Sequence, residues 1–268
     1  MSKTILITGA TDGIGLVTAR KLRSDGHTLL LHGRNEAKLE AAKAGILDIP
    51  GSGDVLTFRA DFSRLEEVAR LVREVTSSVS ELDVLINNAG ILRTPNEVTE
   101  DGLDIRFVVN LLAPCLLTRG LLSVMSSDGR VVNLSSAAQA PVELQALEGR
   151  KRLSAMDAYA QSKLALTMWT RQTASELGPQ GPAIIAVNPG SLLASKMVKE
   201  GFGVAGSDLG IGADILIRAS LSEDFSQASG RYFDNDSGHF SDPHPDGLND
   251  QKVSQLMDAI DGMLLKYS

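Results

Sequence analysis

Cysteine is almost absent from this chain of 268 residues. The one present, Cys115, rules out an intrachain disulfide and makes a reducing compartment the expected home. Positive charge is in deficit: 26 Lys and Arg stand against 33 Asp and Glu, a formal net charge of −7. That balance argues against nucleic acid or an anionic membrane surface as partner, since both select Lys/Arg-rich faces. Long apolar runs are missing too. The longest, around residues 107–117, is interrupted by Asn110 and Pro114, and reads as too short and too broken to span a bilayer. The opening residues Met1 to Thr4 lead into only three apolar residues, too few for the core of a signal peptide. No repeat, low-complexity tract or Pro/Ser-rich linker divides the chain. A single cytoplasmic domain, without a membrane or nucleic-acid partner, is the expectation.

What is present is alternation. Apolar runs at residues 4–7, 28–31, 55–58, 84–86, 131–134, 183–187 and, more weakly, 231–233 read as strands. Between them, residues 15–24, 36–44, 65–79, 102–125, 156–177 and 213–220 read as helices. This order predicts an α/β fold: a doubly wound parallel sheet of about seven strands with helices on both faces. The strand candidates are continuously apolar, as expected of strands covered on both sides. Two segments break the rhythm, 139–157 and 191–208. Both are rich in apolar residues, and both are expected to close over a substrate pocket.

The first strand runs into Thr8-Gly9-Ala10-Thr11-Asp12-Gly13-Ile14-Gly15, which opens a helix. Glycines there let the backbone turn tightly and approach a pyrophosphate, whose charge is met by the free amides of the helix N-terminus. About twenty residues further on, an acid would hold the ribose hydroxyls of NAD. That position is Gly33, followed by Arg34, whose guanidinium suits a 2′-phosphate. NADP is the expected cofactor.

Taken in order, these residues resemble the short-chain dehydrogenase/reductase family over nearly the whole chain. Thr8 to Gly15 resembles its glycine motif, and Asp61 its adenine-contacting aspartate. Asn87-Asn88-Ala89-Gly90, Asn110, Ser136, Tyr159-x3-Lys163 and Asn188-Pro189-Gly190 follow at the matching strand ends. The resemblance implies a single-domain Rossmann fold and a catalytic set of Asn110, Ser136, Tyr159 and Lys163. It implies cofactor contacts from Gly9, Thr11, Asp12, Gly13, Ile14, Gly15, Arg34, Asn35, Asp61, Phe62, Asn88, Ala89, Gly90, Pro189, Gly190, Ser191 and Ser195, with Tyr159 and Lys163. It also implies a homodimer or homotetramer joined through the helices carrying Asn110 and Tyr159. The long interval between Ser136 and Tyr159 is similar to that of the retinol dehydrogenase and carbonyl reductase branch. Two departures stand out. Asp12 occupies a place where NADP-using relatives often carry a basic residue, and Ala194 lies where a nicotinamide-contacting threonine is expected, with Ser195 as its substitute.

The chemistry of these residue types agrees with the resemblance. Tyr159 and Lys163, four apart, share one helix face. A phenol titrates near pH 10 in water, and a neighbouring ammonium, aided by an oxidised nicotinamide, is expected to lower that value. Tyr159 then exchanges a proton with a small alcohol or carbonyl substrate while Ser136 holds the substrate oxygen. In the family, Lys163 also holds the nicotinamide ribose, and Asn110 holds a water that relays protons to the lysine. Two other readings are open: a redox-silent cofactor-binding protein, which would typically lack the Tyr or the Lys, and a nicotinamide-dependent epimerase or dehydratase, for which residues 190–268 leave little room. The run from His239 to Asp246 reads as a solvated loop rather than a metal site, so no metal is expected.

Overall fold

The computed structural model describes residues 2–191, 193 and 206–267. Five strands built around apolar runs form the centre of one sheet: β1 (Thr4–Ile7), β2 (Thr28–Gly33), β4 (Leu82–Asn87), β5 (Met125–Leu134, whose first half is polar) and β6 (Ala183–Asn188). With β3 (Val55–Arg59), β7 (Tyr232–Asp234) and β8 (His239–Ser241), the strand order is β3-β2-β1-β4-β5-β6-β7-β8. The order reverses between β1 and β4, which opens a crevice at the carboxyl ends of those strands.

Alternation along each strand divides the core into two layers. Leu30, Leu6, Leu85, Val131 and Ile184 lie in register across five strands and face one layer. Ile5, Leu29, Ile86, Val132 and Ile185 face the other. The first layer is covered by α3 (Leu65–Ser78), α5 (Ala113–Leu121) and α7 (Ala155–Leu177). The second is covered by α1 (Gly13–Ser24), α2 (Glu36–Leu47) and the helix Leu209–Leu221, here α8.

The sheet has eight strands, not about seven. The eighth was read as part of a solvated loop. Phe240 explains the difference: it packs with Phe225 and Phe233, ring centroids about 5 Å apart, and so pins β8 antiparallel to β7. A further helix, α9 (Asp250–Leu264), follows where none was expected. It buries Val253, Leu256, Met257, Ile260 and Leu264 on one face against α7. Its Asp261 pairs with Arg119 of α5. Residues 158–170 of α7 are consequently buried on all sides, and α9 covers an outer face of the helix on which the expected subunit contact relied.

The stretch expected as one helix over 102–125 is composite. A single turn, α4 (Ile105–Phe107), is capped by Asp104, passes through a π-turn at Val108–Leu112 and continues as α5. By length and mean hydropathy, Ile105–Val124 does meet the demands of a membrane span, contrary to the sequence reading. Its apolar character is used inside the fold, where 72% of that window is buried.

Candidate active site

Backbone shape defines the first part of the site. After β1 the chain turns at Gly9 (φ 66°) and Gly13 (φ 55°), a left-handed region in which side chains are strained. Asp12 caps α1, its carboxylate accepting the Gly13 amide at 2.7 Å. The turn is clasped from the β4 side. Asn88 Nδ2 donates to the carbonyls of Thr8 (2.8 Å) and Gly9 (3.2 Å), and the amides of Asn88 and Ala89 both donate to Thr8 Oγ1. A Cβ on Gly15 would lie 2.5 Å from both Asn88 Nδ2 and the Gly9 carbonyl oxygen, so only glycine lets α1 start this close to β4.

From the β2 side the turn rests on His32. The Gly9 amide donates to His32 Nδ1 at 3.3 Å and the Ala10 amide to the His32 carbonyl at 2.9 Å. His32 Nε2 bonds the Ala60 carbonyl at 3.0 Å, and the ring stacks on Phe62 with centroids 4.1 Å apart. An Nδ1 that accepts leaves the proton on Nε2, so the imidazole is neutral, and burial pushes its pKa down to about 4.

The second part of the site is built from buried polar side chains. Ser136 follows β5, its Oγ accepting the Ala138 amide at 3.1 Å. Tyr159 is carried on α7, and Ser136 is near enough to its hydroxyl to favour the ionised form. Lys163, one turn along, is buried and donates to the Leu134 carbonyl at 2.7 Å, its Nζ 5.6 Å from the centre of the Tyr159 ring. Burial lowers the lysine to about 8 and raises the tyrosine above its usual value, while Ser136 pulls the tyrosine back. The expected lowering of Tyr159 is thus not a property of the chain alone, because burial outweighs an ammonium that makes no direct bond to the hydroxyl. Asn110, at the centre of the π-turn, spends its side chain on structure. Its Oδ1 accepts the Ile91 amide (2.8 Å), and its Nδ2 donates to the Ile91 carbonyl and to Ser162 Oγ (both 3.0 Å). A Cβ on Gly90 would fall 3.4 Å from Asn110 Oδ1 and 3.5 Å from Lys163 Nζ, so the bare glycine keeps the floor beside the amine open.

Glycines at the turn after β1 and a Ser–Tyr–Lys group at the end of β5, two strands over, are features to compare with known proteins. A family model described as short chain dehydrogenase matches residues 3–202. The chain belongs to the short-chain dehydrogenase family. Mouse retinol dehydrogenase 12 is 34% identical over 244 residues, 86% of this chain and 77% of that one. Human retinol dehydrogenase 13 is 31% identical over 253 residues, 87% and 76%. Among solved structures, a short-chain dehydrogenase from Burkholderia cenocepacia in complex with NADP aligns with a TM-score of 0.70 at 26% identity, covering 88% of this chain and 97% of that one.

Other expected residues of this short-chain dehydrogenase are placed as follows. Arg34 is exposed just past β2, and among the described residues no carboxylate pairs with it. Asn35 caps α2 through the Lys38 amide. Asp61 lies two residues past β3, its Oδ1 accepting from the amide and hydroxyl of Ser63. Phe62 is buried, its ring stacked on His32. The Pro189-Gly190-Ser191 turn is held by a group that sequence reading missed. Asp236 accepts the Ser191 amide at 2.7 Å, Asn188 Nδ2 donates to Asp234 and Asp236, and Asn235 donates to the Pro189 carbonyl. Ser195 and most of 191–208 lie outside the described residues. In the other segment, 139–157, which carries the short α6 (Leu144–Leu147), Leu147 is in the core, Val142, Leu144 and Leu153 are half-buried against it, and Met156 is exposed.

Also missed was a buried lattice beneath the Ser–Tyr–Lys group. Asn87 Nδ2 donates to Asn133 Oδ1 (2.8 Å) and Thr118 Oγ1 (3.0 Å), and Asn133 Nδ2 to Thr170 Oγ1 (2.8 Å). Ser135 bonds Thr167 at 2.6 Å. These bonds fix α7 in register with β4 and β5, and so set where Tyr159 and Lys163 stand over Ser136. Tyr232 and Gln139 both donate to the Ser136 carbonyl (3.2 and 3.0 Å), which fixes that residue from the opposite side.

Proposed function

We propose that the chain is an NADP-dependent oxidoreductase that interconverts an alcohol with a ketone or aldehyde. The observation that carries this reading is the grouping of Ser136 with the buried Tyr159 and Lys163, the lysine one helical turn from the tyrosine and donating to the Leu134 carbonyl at the end of β5. The cradle fits a dinucleotide. Gly9, Gly13 and Gly15 leave backbone at the start of α1 for a pyrophosphate, Arg34 suits a 2′-phosphate, and the open floor at Gly90 gives a nicotinamide ribose access to Lys163. When bound, the nicotinamide supplies or accepts the hydride.

The chain's own residues handle the proton and the orientation. Ser136 donates to the substrate oxygen and stabilises the charge that develops on it. Tyr159 gives its hydroxyl proton to that oxygen in reduction and takes it back in oxidation. Lys163, cationic below about pH 8, favours the phenolate at the moment the proton leaves. A redox-silent binding protein would have no use for a serine, a tyrosine and a lysine brought together in this way.

A medium-sized or large apolar substrate is part of the same reading. Its support is the similarity to the retinol dehydrogenases and to a landomycin C-6 ketoreductase structure containing NADP and rabelomycin, 27% identical with a TM-score of 0.68. The test is kcat/KM with NADPH and with NADH across a homologous ketone series. Each buried methylene is expected to add up to about 0.8 kcal/mol until the pocket is full. Arg34→Ala is expected to weaken NADPH by roughly 10- to 150-fold and leave NADH nearly unchanged. A flat series overturns the substrate class, and equal losses for both cofactors overturn the role of Arg34.

A further inference from the structure

Gly33, the last residue of β2, is buried, and its φ is not in the left-handed region. Its backbone is therefore open to any residue, and the reason for glycine is space. A Cβ built there would lie 2.5 Å from Thr11 Cγ2, 3.3 Å from Leu39 Cδ1 and 3.6 Å from Thr11 Oγ1. The first distance is a collision. Leu39 can yield by turning its tip, but Thr11 is badly placed to do so. It is β-branched and stiff at χ1. On its N-terminal side the amides of Gly9 and Ala10 are tied to the ring and carbonyl of His32. On its C-terminal side Asp12 is tied to Gly13 at the start of α1. Position 33 is also where an acid would have to stand to hold the two ribose hydroxyls of NAD.

We propose that Thr11 is a specificity-determining residue: its methyl group, held over Gly33 by a turn anchored on His32, keeps every side chain, and so the carboxylate that NAD recognition needs, out of the ribose end of the cofactor site. This rests on the reading that the turn takes a dinucleotide with Arg34 at its 2′-phosphate. It goes further by assigning discrimination to packing as well as charge. The absence of an acid is then enforced, and one substitution at Gly33 does not convert the cofactor preference.

Thr11→Ser removes the colliding carbon and leaves the hydroxyl, so a mutant cycle isolates the contact. The variants are Thr11→Ser, Gly33→Ala, Gly33→Asp and the two double variants. The readouts are Kd for NADPH and NADH by calorimetry, and Tm of the ligand-free protein. Gly33→Ala carries no charge and is expected to weaken both cofactors by about tenfold or more and to lower Tm. Adding Thr11→Ser is expected to return both quantities to within about twofold of Thr11→Ser alone. Gly33→Asp is expected to weaken both cofactors. Thr11→Ser with Gly33→Asp is expected to regain NADH by about tenfold over Gly33→Asp, while NADPH stays weak because the new carboxylate repels a 2′-phosphate. The proposal is overturned if Gly33→Asp alone switches preference to NADH with Tm unchanged, or if the double variants are no better than the Gly33 singles. Failure of the underlying reading looks different: the unmodified protein would bind NADH at least as tightly as NADPH, while rescue of Gly33→Ala by Thr11→Ser would still appear in Tm.

Discussion

At the ends of β1 and β2 the site is made of backbone and small groups: two left-handed glycines, a methyl over Gly33, and amides resting on a neutral imidazole. At the end of β5 and along α7 it is made of ionisable and polar side chains carried into the interior, with Lys163 and Tyr159 both displaced from their ordinary pKa values by burial. The first region is at ease in its fold, and substitutions there fail by collision. The second is held against its own cost, and some substitutions there should stabilise the protein while ending its activity. Strain concentrated where chemistry is done, and relaxed packing where shape is read, is the division that activity requires.

The largest expected effect lies in the second region. Tyr159→Phe removes only the hydroxyl, so kcat/KM is expected to fall by about 10²- to 10⁴-fold with NADPH affinity nearly intact. A Tyr159→Phe protein with full turnover would remove the proton-transfer role and with it the contrast between the two regions.

Lys163→Met tests the cost directly. A lysine lowered from 10.5 to about 8 binds its proton less readily folded than unfolded, a penalty of about 3 kcal/mol below pH 8. The unfolded chain holds more protons between about pH 8 and 10.5, so this penalty fades as pH rises through that window. Lys163→Met leaves the Leu134 carbonyl without its donor, which returns part of the gain. The expected outcome is an inactive protein with a higher Tm at pH 7, the difference closing above pH 8. A lower Tm at pH 7 would mean that the lysine stabilises the fold.

Much of this architecture was legible in the sequence because it is local. The central strands announce themselves as apolar runs, and Tyr159 and Lys163 are four apart on a helix. The face of α9 was legible too, in the spacing of Val253, Leu256, Met257, Ile260 and Leu264, but it lies beyond the alternating pattern and went unread. β8 is three residues long and depends on Phe240 finding Phe225 and Phe233, contacts that no local pattern reports. The split of 139–157 between a core residue such as Leu147 and an exposed one such as Met156 is of the same kind, since apolar density in a segment does not say which side each residue faces. His32 was invisible for a different reason. Its partners are the amide of Gly9 and the carbonyl of Ala60, and backbone atoms leave no signature of residue type or spacing.

That same histidine supplies the smallest of these effects and the sharpest check on the first region. In the folded chain its pKa lies near 4 against an ordinary 6.5, so the neutral ring is favoured by the fold. The stability this represents is fully present above pH 6.5 and is lost as pH falls toward 4, because the unfolded chain takes up the proton first. By pH 5 the loss is about 2 kcal/mol. Protonated, Nδ1 becomes a donor facing the Gly9 amide, so the turn loses its footing on β2 and cofactor affinity should fall over the same interval. His32→Gln offers the comparison, since a carboxamide can accept from Gly9 and donate to Ala60 without titrating. Every carboxylate is common to the two proteins, so the difference between their urea-unfolding free energies from pH 7 to 5 isolates the imidazole. The unmodified protein is expected to lose about 2 kcal/mol more than His32→Gln across that range. Parallel curves would show that the ring carries no such preference, and that the fold does not hold His32 neutral.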